Sequence, residues 1–323
     1  MPISRRPRYR EEIKVDDDGP RTACRPPKMV TGPATMTVRD HLAQGTAALA
    51  ASGSASPRLD AEVLLGHVLQ WERSRLFLHP DWELTAEEVE RYRRLLTRRR
   101  EGEPVAYITG EKEFWSISLR VDRHVLIPRP DTEILVEEVL NLLPFPGDRT
   151  PRLLEIGVGS GAVSIALAAA RGDVRLIATD VSAAAVALAK GNAVRAGVSG
   201  RIAFLVCSLF AGLDGLFDGI VSNPPYIAAD EFADLPPEVR RYEPPGALRG
   251  GPDGTAFHRE IIGGAERLLR PGGFLALEIG AGQRRILEEL LRRSPAYDSV
   301  SFRRDYAGCD RVLRARRIQR WTR

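Results

Sequence analysis

Arg152-Leu153-Leu154-Glu155-Ile156-Gly157-Val158-Gly159-Ser160-Gly161-Ala162 reads as a short buried strand that runs into a glycine-rich turn and then a helix. Three apolar residues in five, bounded by Pro151 and Gly157, suit a buried strand. Glycines at alternate positions let the backbone turn tightly and bring its N–H groups close to a ligand. Working outward, apolar strand patterns recur near 174–179, 202–207, 217–222 and 273–279. Amphipathic helix patterns fall between and after them, near 161–171, 182–196, 256–269 and 283–293. This alternation predicts an α/β fold, a Rossmann-like, mostly parallel sheet with helices on both faces. A last pair, 297–303 and 310–316, is too close for a helix between and predicts an antiparallel terminal hairpin at the sheet edge.

Upstream the pattern changes. Residues 1–35 are rich in Arg, Pro and Asp without apolar periodicity, which predicts a disordered tail or a start codon placed too early, with Met36 as the true start. Residues 36–104 read as a small helical domain. Leu42, Ala47, Leu49 and Ala50 would form the apolar face of a first helix; Leu59, Val63, Leu64, Val68 and Leu69 that of a second. Thr85 with Glu88 fits a capping box opening a third, which ends in Arg98-Arg99-Arg100. That basic run reads as a solvated helix end complementing the helix dipole, or as a contact to an acidic or RNA-bearing partner. Residues 105–130 form a β-hairpin-like connector, with Val105–Ile108 and Phe114–Val121 as short strands around Gly110-Glu111. Residues 131–323 make the main domain, Asp131-Thr132 capping its first helix.

Composition narrows the class. The chain has 323 residues, 43% hydrophobic and 28% charged, as in ordinary globular proteins. No apolar run approaches the roughly 20 residues of a membrane helix. Cys24, Cys207 and Cys309 are too few and too scattered for a disulfide framework, which suits a reducing cytoplasm. Five scattered histidines offer no metal-ligand spacing, so no metal is expected. The net charge is +4, but residues 1–35 hold 8 Lys/Arg and 5 Asp/Glu, leaving +1 for the rest. Stable nucleic-acid binding is not expected from so neutral a body.

Two motifs carry chemistry. Gly157, Gly159 and Gly161, with Val158 and Ser160 between them, precede Asp180, which ends the next strand and suits a ribose diol. This half alone also fits a dinucleotide site. A nucleobase would lie between Val181 and Ser208-Leu209-Phe210. The second motif, Asn223-Pro224-Pro225-Tyr226, stands 62 residues after Gly161 at a predicted strand end. Ligands of open parallel sheets bind at that end. The Asn223 side-chain oxygen and Pro224 carbonyl can accept the two N–H groups of a planar amino or amide nitrogen, which is otherwise a poor nucleophile. Prolines stiffen the loop, and Tyr226 can pack its ring on the planar group. The two motifs together point to methyl transfer from S-adenosylmethionine onto such a nitrogen.

The chain resembles the PrmC/HemK family of release-factor glutamine N5-methyltransferases over nearly all of residues 36–323. The resemblance rests on Arg58-Leu59-Asp60-Ala61-Glu62, Gly102-Glu103-Pro104-Val105-Ala106-Tyr107-Ile108, Glu113-Phe114-Trp115 and Leu126-Ile127-Pro128-Arg129-Pro130-Asp131-Thr132-Glu133. Asn223–Tyr226, Glu243-Pro244, Gly250-Gly251-x-Asp253-Gly254 and Leu277-Glu278-Ile279-Gly280 extend it. It implies a class I methyltransferase fold with S-adenosylmethionine as donor. The implied acceptor is the glutamine of the Gly-Gly-Gln motif of class-I peptide chain release factors. Gly157, Gly159, Gly161 and Asp180 would hold the donor, Asn223–Tyr226 the glutamine, and the helical domain and connector the release factor. Glu155 stands where the family usually has Asp, and would reach the donor's amino group. Ser208, before Leu209, stands where the family has an acidic residue for the adenine, which implies weaker donor binding. The alternative is an adenine-N6 nucleic-acid methyltransferase, with which Asn-Pro-Pro-Tyr is shared.

Overall fold

The computed structural model describes residues 36–144 and 149–319; the expected tail over residues 1–35 lies outside them. Thr37 caps α1 (Val38–Ala51) in a reciprocal capping box with Asp40. α2 (Pro57–Leu69) and α3 (Arg73–Leu78) follow, and Thr85 with Glu88 caps α4 (Ala86–Arg100), as the sequence predicts. The buried face of α1 differs from expectation: it is Val38, His41, Gly45 and Leu49, with Ala47 and Ala50 exposed. Gly45 decides this, because the Tyr92 hydroxyl of α4 sits where a side chain there would begin. Leu59 of α2 also faces solvent, and the chain instead buries Asp60 and Glu62.

Buried acids account for two of the three arginines of the run, while Arg100 stays at the solvated helix end. Arg98 bonds Glu103. Arg99, with 9% of its side chain exposed, pairs with Asp60 at 2.8 Å and with Glu238 at 2.6 Å. Glu238 belongs to α9 (Pro237–Tyr242) of the main domain, so one guanidinium ties the helical region to the sheet region.

The connector also differs from expectation. Val105–Thr109 is a helical turn, α5, closed by Gly110 in the left-handed conformation. A strand would send Val105 and Tyr107 to one side. The helix instead lets Val105 and Ile108 pack on the helical region while Ala106 and Tyr107 join Val121, Val125 and Ile127. The hairpin lies further on, β1 (Glu111–Phe114) against β2 (Ile117–Arg120), and turns at Trp115-Ser116, both with positive φ.

After α6 (Thr132–Leu142) come β3 (Arg152–Ile156), α7 (Ala162–Ala170), β4 (Arg175–Asp180), α8 (Ala183–Arg195), β5 (Ile202–Val206) and β6 (Phe217–Ser222). Beyond α9 the chain forms α10 (Ala256–Ala265), β7 (Leu269–Glu278), α11 (Arg284–Arg292), β8 (Tyr297–Arg304) and β9 (Asp310–Arg317). The seven-stranded sheet has the order β5-β4-β3-β6-β7-β9-β8. Strands β3 to β7 run parallel, and β9 is antiparallel to both neighbours. β7 starts earlier than expected, Leu269 pairing with Phe217 before an irregular step that accommodates Pro271 and Gly272. One face buries Leu153, Leu176 and Ile202 under Ile165 and Ala189; the other buries Leu154, Ile220 and Leu275 under Ile261 and Leu287. Chain order reverses between β3 and β6, which makes their carboxyl ends the switch point.

Arg99→Leu is expected to cost about 3 kcal/mol in urea unfolding, because it strands the buried Asp60 carboxylate. A loss under about 1 kcal/mol would mean that solvent screens the pair.

Candidate active site

β3 and β6 are in register with Ile156 opposite Ser222, and the Ser222 hydroxyl donates to the Ile156 carbonyl at 2.7 Å. The glycine turn and the Asn223 loop therefore leave the sheet side by side. Between them lies a cavity of about 620 Å³. Of the residues singled out in the sequence, Glu155, Gly157, Val158, Gly159, Ser160, Asp180, Ser208, Leu209, Asn223, Pro224 and Pro225 border it. Gly161 and Tyr226 do not. Gly161 is the left-handed N-cap of α7, packed so closely on Ile165 and Ala189 that a side chain there would collide. Tyr226 stands behind the loop, its hydroxyl 3.4 Å from Glu278 Oε1 and its ring against Gly280. Phe210 also turns away, into the core against Gly264, so only Ser208 and Leu209 of that stretch reach the cavity. Val181 is 76% exposed at the cavity's edge, free to cover a planar ring.

Hydrogen bonds preset the polar groups. Asp180 accepts from the N–H of Gly159 at 3.0 Å and of Ser182 at 2.9 Å, which aims its carboxylate across the turn. Glu155 accepts from the N–H of Ser164 at 3.0 Å and from the Ser164 hydroxyl. It is only 3% exposed, and burial raises its pKa to about 8 against the pull of those donors. Asn223 donates through Nδ2 to the Thr132 hydroxyl at 3.1 Å. Its Oδ1 accepts no hydrogen bond among the described residues and is left for a ligand. Pro224 and Pro225 carry no N–H, so each offers only its carbonyl as a polar group.

The sequence offered little sign of the shell that holds this loop. Gln283 donates to the carbonyls of Tyr226 at 2.8 Å and Gly254 at 3.1 Å, and accepts from Gly280 N–H. Ile227 pairs with Leu248 and Gly250. Gly250 lies so close to Pro225, Tyr226 and Gly254 that no Cβ fits, which gives the Gly250-Gly251-x-Asp253-Gly254 motif its role. Arg129 pairs with the buried Glu243, which also accepts from Ile127 N–H at 3.1 Å, and fixes Pro128-Arg129 as a wall of the cavity. Asp131 does not cap α6 with its side chain; Thr132 turns inward instead, between Asn223 and Glu278. Burial raises Glu278 to about 7 although the Thr132 hydroxyl and the Arg311 charge pull the other way. Only the repeated prolines and glycines of these segments hinted at such contacts.

A 620 Å³ cavity with an acid at a strand end, a glycine turn with open space above Gly157 and Gly159, and apolar walls from Val181, Ala185 and Ile261 suits S-adenosylmethionine. Fold and site thus define a class I S-adenosylmethionine-dependent methyltransferase. Among solved structures, the hMettl16 catalytic domain in complex with the MAT2A 3′UTR hairpin 6 shares this fold at 18% identity and a TM-score of 0.52, over 74% of this chain and 84% of that one. The family model PrmC N-terminal domain matches residues 40–110, and the methyltransferase small domain matches residues 131–235. The release factor glutamine methyltransferase of Moorella thermoacetica is 42% identical over 283 residues, 87% of this chain and 99% of that one. That of Geobacter sulfurreducens is 40% identical over 289 residues, 89% and 99% of the two chains. The chain belongs to the release factor glutamine methyltransferase family. Among the described residues no group of three or more His, Cys, Asp or Glu side chains could hold a metal, and no helix is long and apolar enough to cross a membrane.

The Glu155 shift sets a pH dependence. The folded chain keeps a proton to about 8 that the unfolded chain releases near the ordinary 4.5, so stability falls as pH rises through that window. Glu155→Gln keeps an acceptor for Ser164. Its melting temperature is expected to match wild type at pH 5 and exceed it at pH 8.5; parallel pH profiles would remove Glu155 as a buried acid.

Proposed function

We propose that this protein transfers a methyl group from S-adenosylmethionine to the side-chain amide nitrogen of the glutamine in the Gly-Gly-Gln motif of class-I release factors. The observation that carries the reading is Asn223, whose Nδ2 is held by Thr132 so that Oδ1 faces the cavity beside the glycine turn. S-adenosylmethionine, when bound, supplies an electrophilic methyl group on a positively charged sulfur.

The chain's own residues do the rest. Asn223 Oδ1 and the Pro224 carbonyl accept the two amide N–H groups, which turns the nitrogen towards the methyl and favours the positive charge it develops. Pro225 fixes the loop, and Tyr226 acts from behind it, bracing the loop through its ring and its carbonyl. Gly157, Val158, Gly159 and Ser160 let the donor approach the backbone. Asp180 accepts from the ribose hydroxyls, Ser208 and Leu209 border the adenine, and Glu155 faces the amino group. Gly161 contributes through packing. Pro128, Arg129 and Ala247 border the same cavity and exclude water from the reacting nitrogen. Residues 36–104 with the 105–130 connector dock the release factor, and residues 131–323 carry the chemistry. The protein works in the cytoplasm, in keeping with free thiols at Cys207 and Cys309. The adenine-N6 alternative gains nothing from hMettl16, a likeness of fold alone.

The test is mass spectrometry of the Gly-Gly-Gln peptide after incubation of a release factor with this protein and S-adenosylmethionine. One added methyl group on the glutamine is expected, and none on a Gln-substituted control. Asn223→Ala is expected to abolish turnover and keep donor binding. Thr132→Val is expected to lower kcat about tenfold or more by freeing the Asn223 amide, with Thr132→Ser restoring it; equal rates in both would remove Thr132 from positioning. Asp180→Ala is expected to weaken donor binding by about 1.5–3 kcal/mol, the worth of a charge-assisted contact, and unchanged affinity in calorimetry would take Asp180 off the ribose.

A further inference from the structure

A second cavity, of about 310 Å³, opens at the opposite ends of the same strands, its lining including Arg152, Arg175 and Arg201. It lies about 13 Å along β3 from the glycine turn, at about 3.3 Å per strand residue. Arg152 and Arg175 are partners in register on β3 and β4. Leu176 and Ile202 are partners on β4 and β5, and Arg201, the last residue of the short 3-10 turn Ser199–Arg201, leads directly into β5 and lines the cavity with Arg175. Partners in register point to one face of a sheet, on strands about 4.8 Å apart. The three arginines therefore gather at one edge of the cavity, two on neighbouring strands and the third on the turn that enters β5. Ile177 and Ala203, next along the same face, give the cavity an apolar floor.

The cluster gathers three guanidiniums at one cavity without counter-charge. The buried arginines that join segments elsewhere are committed, Arg99 to Asp60 and Glu238, Arg129 to Glu243, Arg311 to Asp305. Among the described residues, none of Arg152, Arg175 and Arg201 forms an ion pair, and no carboxylate lines the cavity. The carboxylate of Asp218 is already engaged by Arg149, Arg270 and the Arg152 backbone N–H. Nη1 of Arg175 donates to the neighbouring Val174 carbonyl at 3.2 Å, and the Arg152 guanidinium lies over the Phe217 ring. Nε of Arg201 is buried without any hydrogen-bond partner. A buried donor without an acceptor, within a cluster of like charges, is costly unless an anion completes it.

We propose that this cavity binds a ligand bearing two or more neighbouring phosphate groups. Guanidinium forks match phosphate oxygens in pairs, and a cluster of them matches neighbouring phosphates better than a single carboxylate. The apolar floor takes the uncharged part attached to them. A free polyphosphate and the backbone of an RNA strand share this chemistry, and they are distinguished by experiment. The site is separate from the methyl-transfer cavity and independent of the reaction assigned there.

The test is calorimetry at low ionic strength on the full chain saturated with S-adenosylhomocysteine, so that the larger cavity is closed to the probes. Inorganic triphosphate and a short oligouridylate are titrated separately. At least one is expected to bind, with affinity falling steeply as salt is added. Arg175→Gln with Arg201→Gln is expected to weaken that binding about tenfold or more, with S-adenosylhomocysteine affinity unchanged. Should the double variant melt lower, the exposed Arg175→Gln alone gives the comparison. Binding of triphosphate alone assigns a free phosphate ligand, and stronger binding of the oligonucleotide assigns an RNA strand. No binding of either probe, or equal affinity in the variant, overturns the proposal.

Discussion

The parallel register of β3 and β6 is the constraint on which the rest of the site depends. With Ile156 opposite Ser222, two strands of different length in sequence end at the same height, and the Ser222 hydroxyl fastens them there. A slip of one residue would turn Asn223 to the other face of the sheet and part it from the glycine turn. The buried patterns of both strands forbid that slip. Leu153 and Val221 belong to one core, Leu154 and Ile220 to the other, and all four are at most 1% exposed. The glycine turn and the Asn223 loop are thus set beside each other by hydrophobic burial.

A second layer of interactions makes the Asn223 loop stiff. Its prolines cannot donate, so the loop gains few bonds of its own and borrows them from elsewhere. Gln283 from the start of α11 holds the Tyr226 carbonyl, and Gly250 lets another backbone come close enough to pair with Ile227. Thr132 from the start of α6 accepts from Nδ2 of Asn223, so a neighbour 91 residues away in sequence holds that end of the amide.

The buried charges follow the same division. Arg99, Arg129 and Arg311 each join segments that the chain order separates. Each pairs with a buried acid, Asp60, Glu243 and Asp305 in turn. Glu155 and Glu278 form no ion pair among the described residues, and burial pushes them up to about 8 and about 7, Glu278 despite the nearby Arg311 charge.

Much of this was legible from residues in order. The strands at 152–156 and 217–222 and the antiparallel final pair follow from local apolar runs and from spacing, because the sheet's core is buried on both faces and leaves a strong pattern. The glycine turn, Asp180 and Asn223 were legible for a similar reason: each needs one residue type at one place after a strand. What stayed hidden depends on partners distant in the chain. Val105–Thr109 carries residues with strand preference, yet it coils because helical spacing serves two separate cores at once. Ala47 and Ala50 fit an apolar face, but the approach of Tyr92 to Gly45 rotates α1 away from them. Tyr226 stands in the right motif and still misses the cavity, since its hydroxyl is drawn back towards Glu278. The sequence by itself determined the layers, the strand ends and the residues that meet there. Only the tertiary structure decided which way each side chain turns, because that choice is settled by partners on other elements.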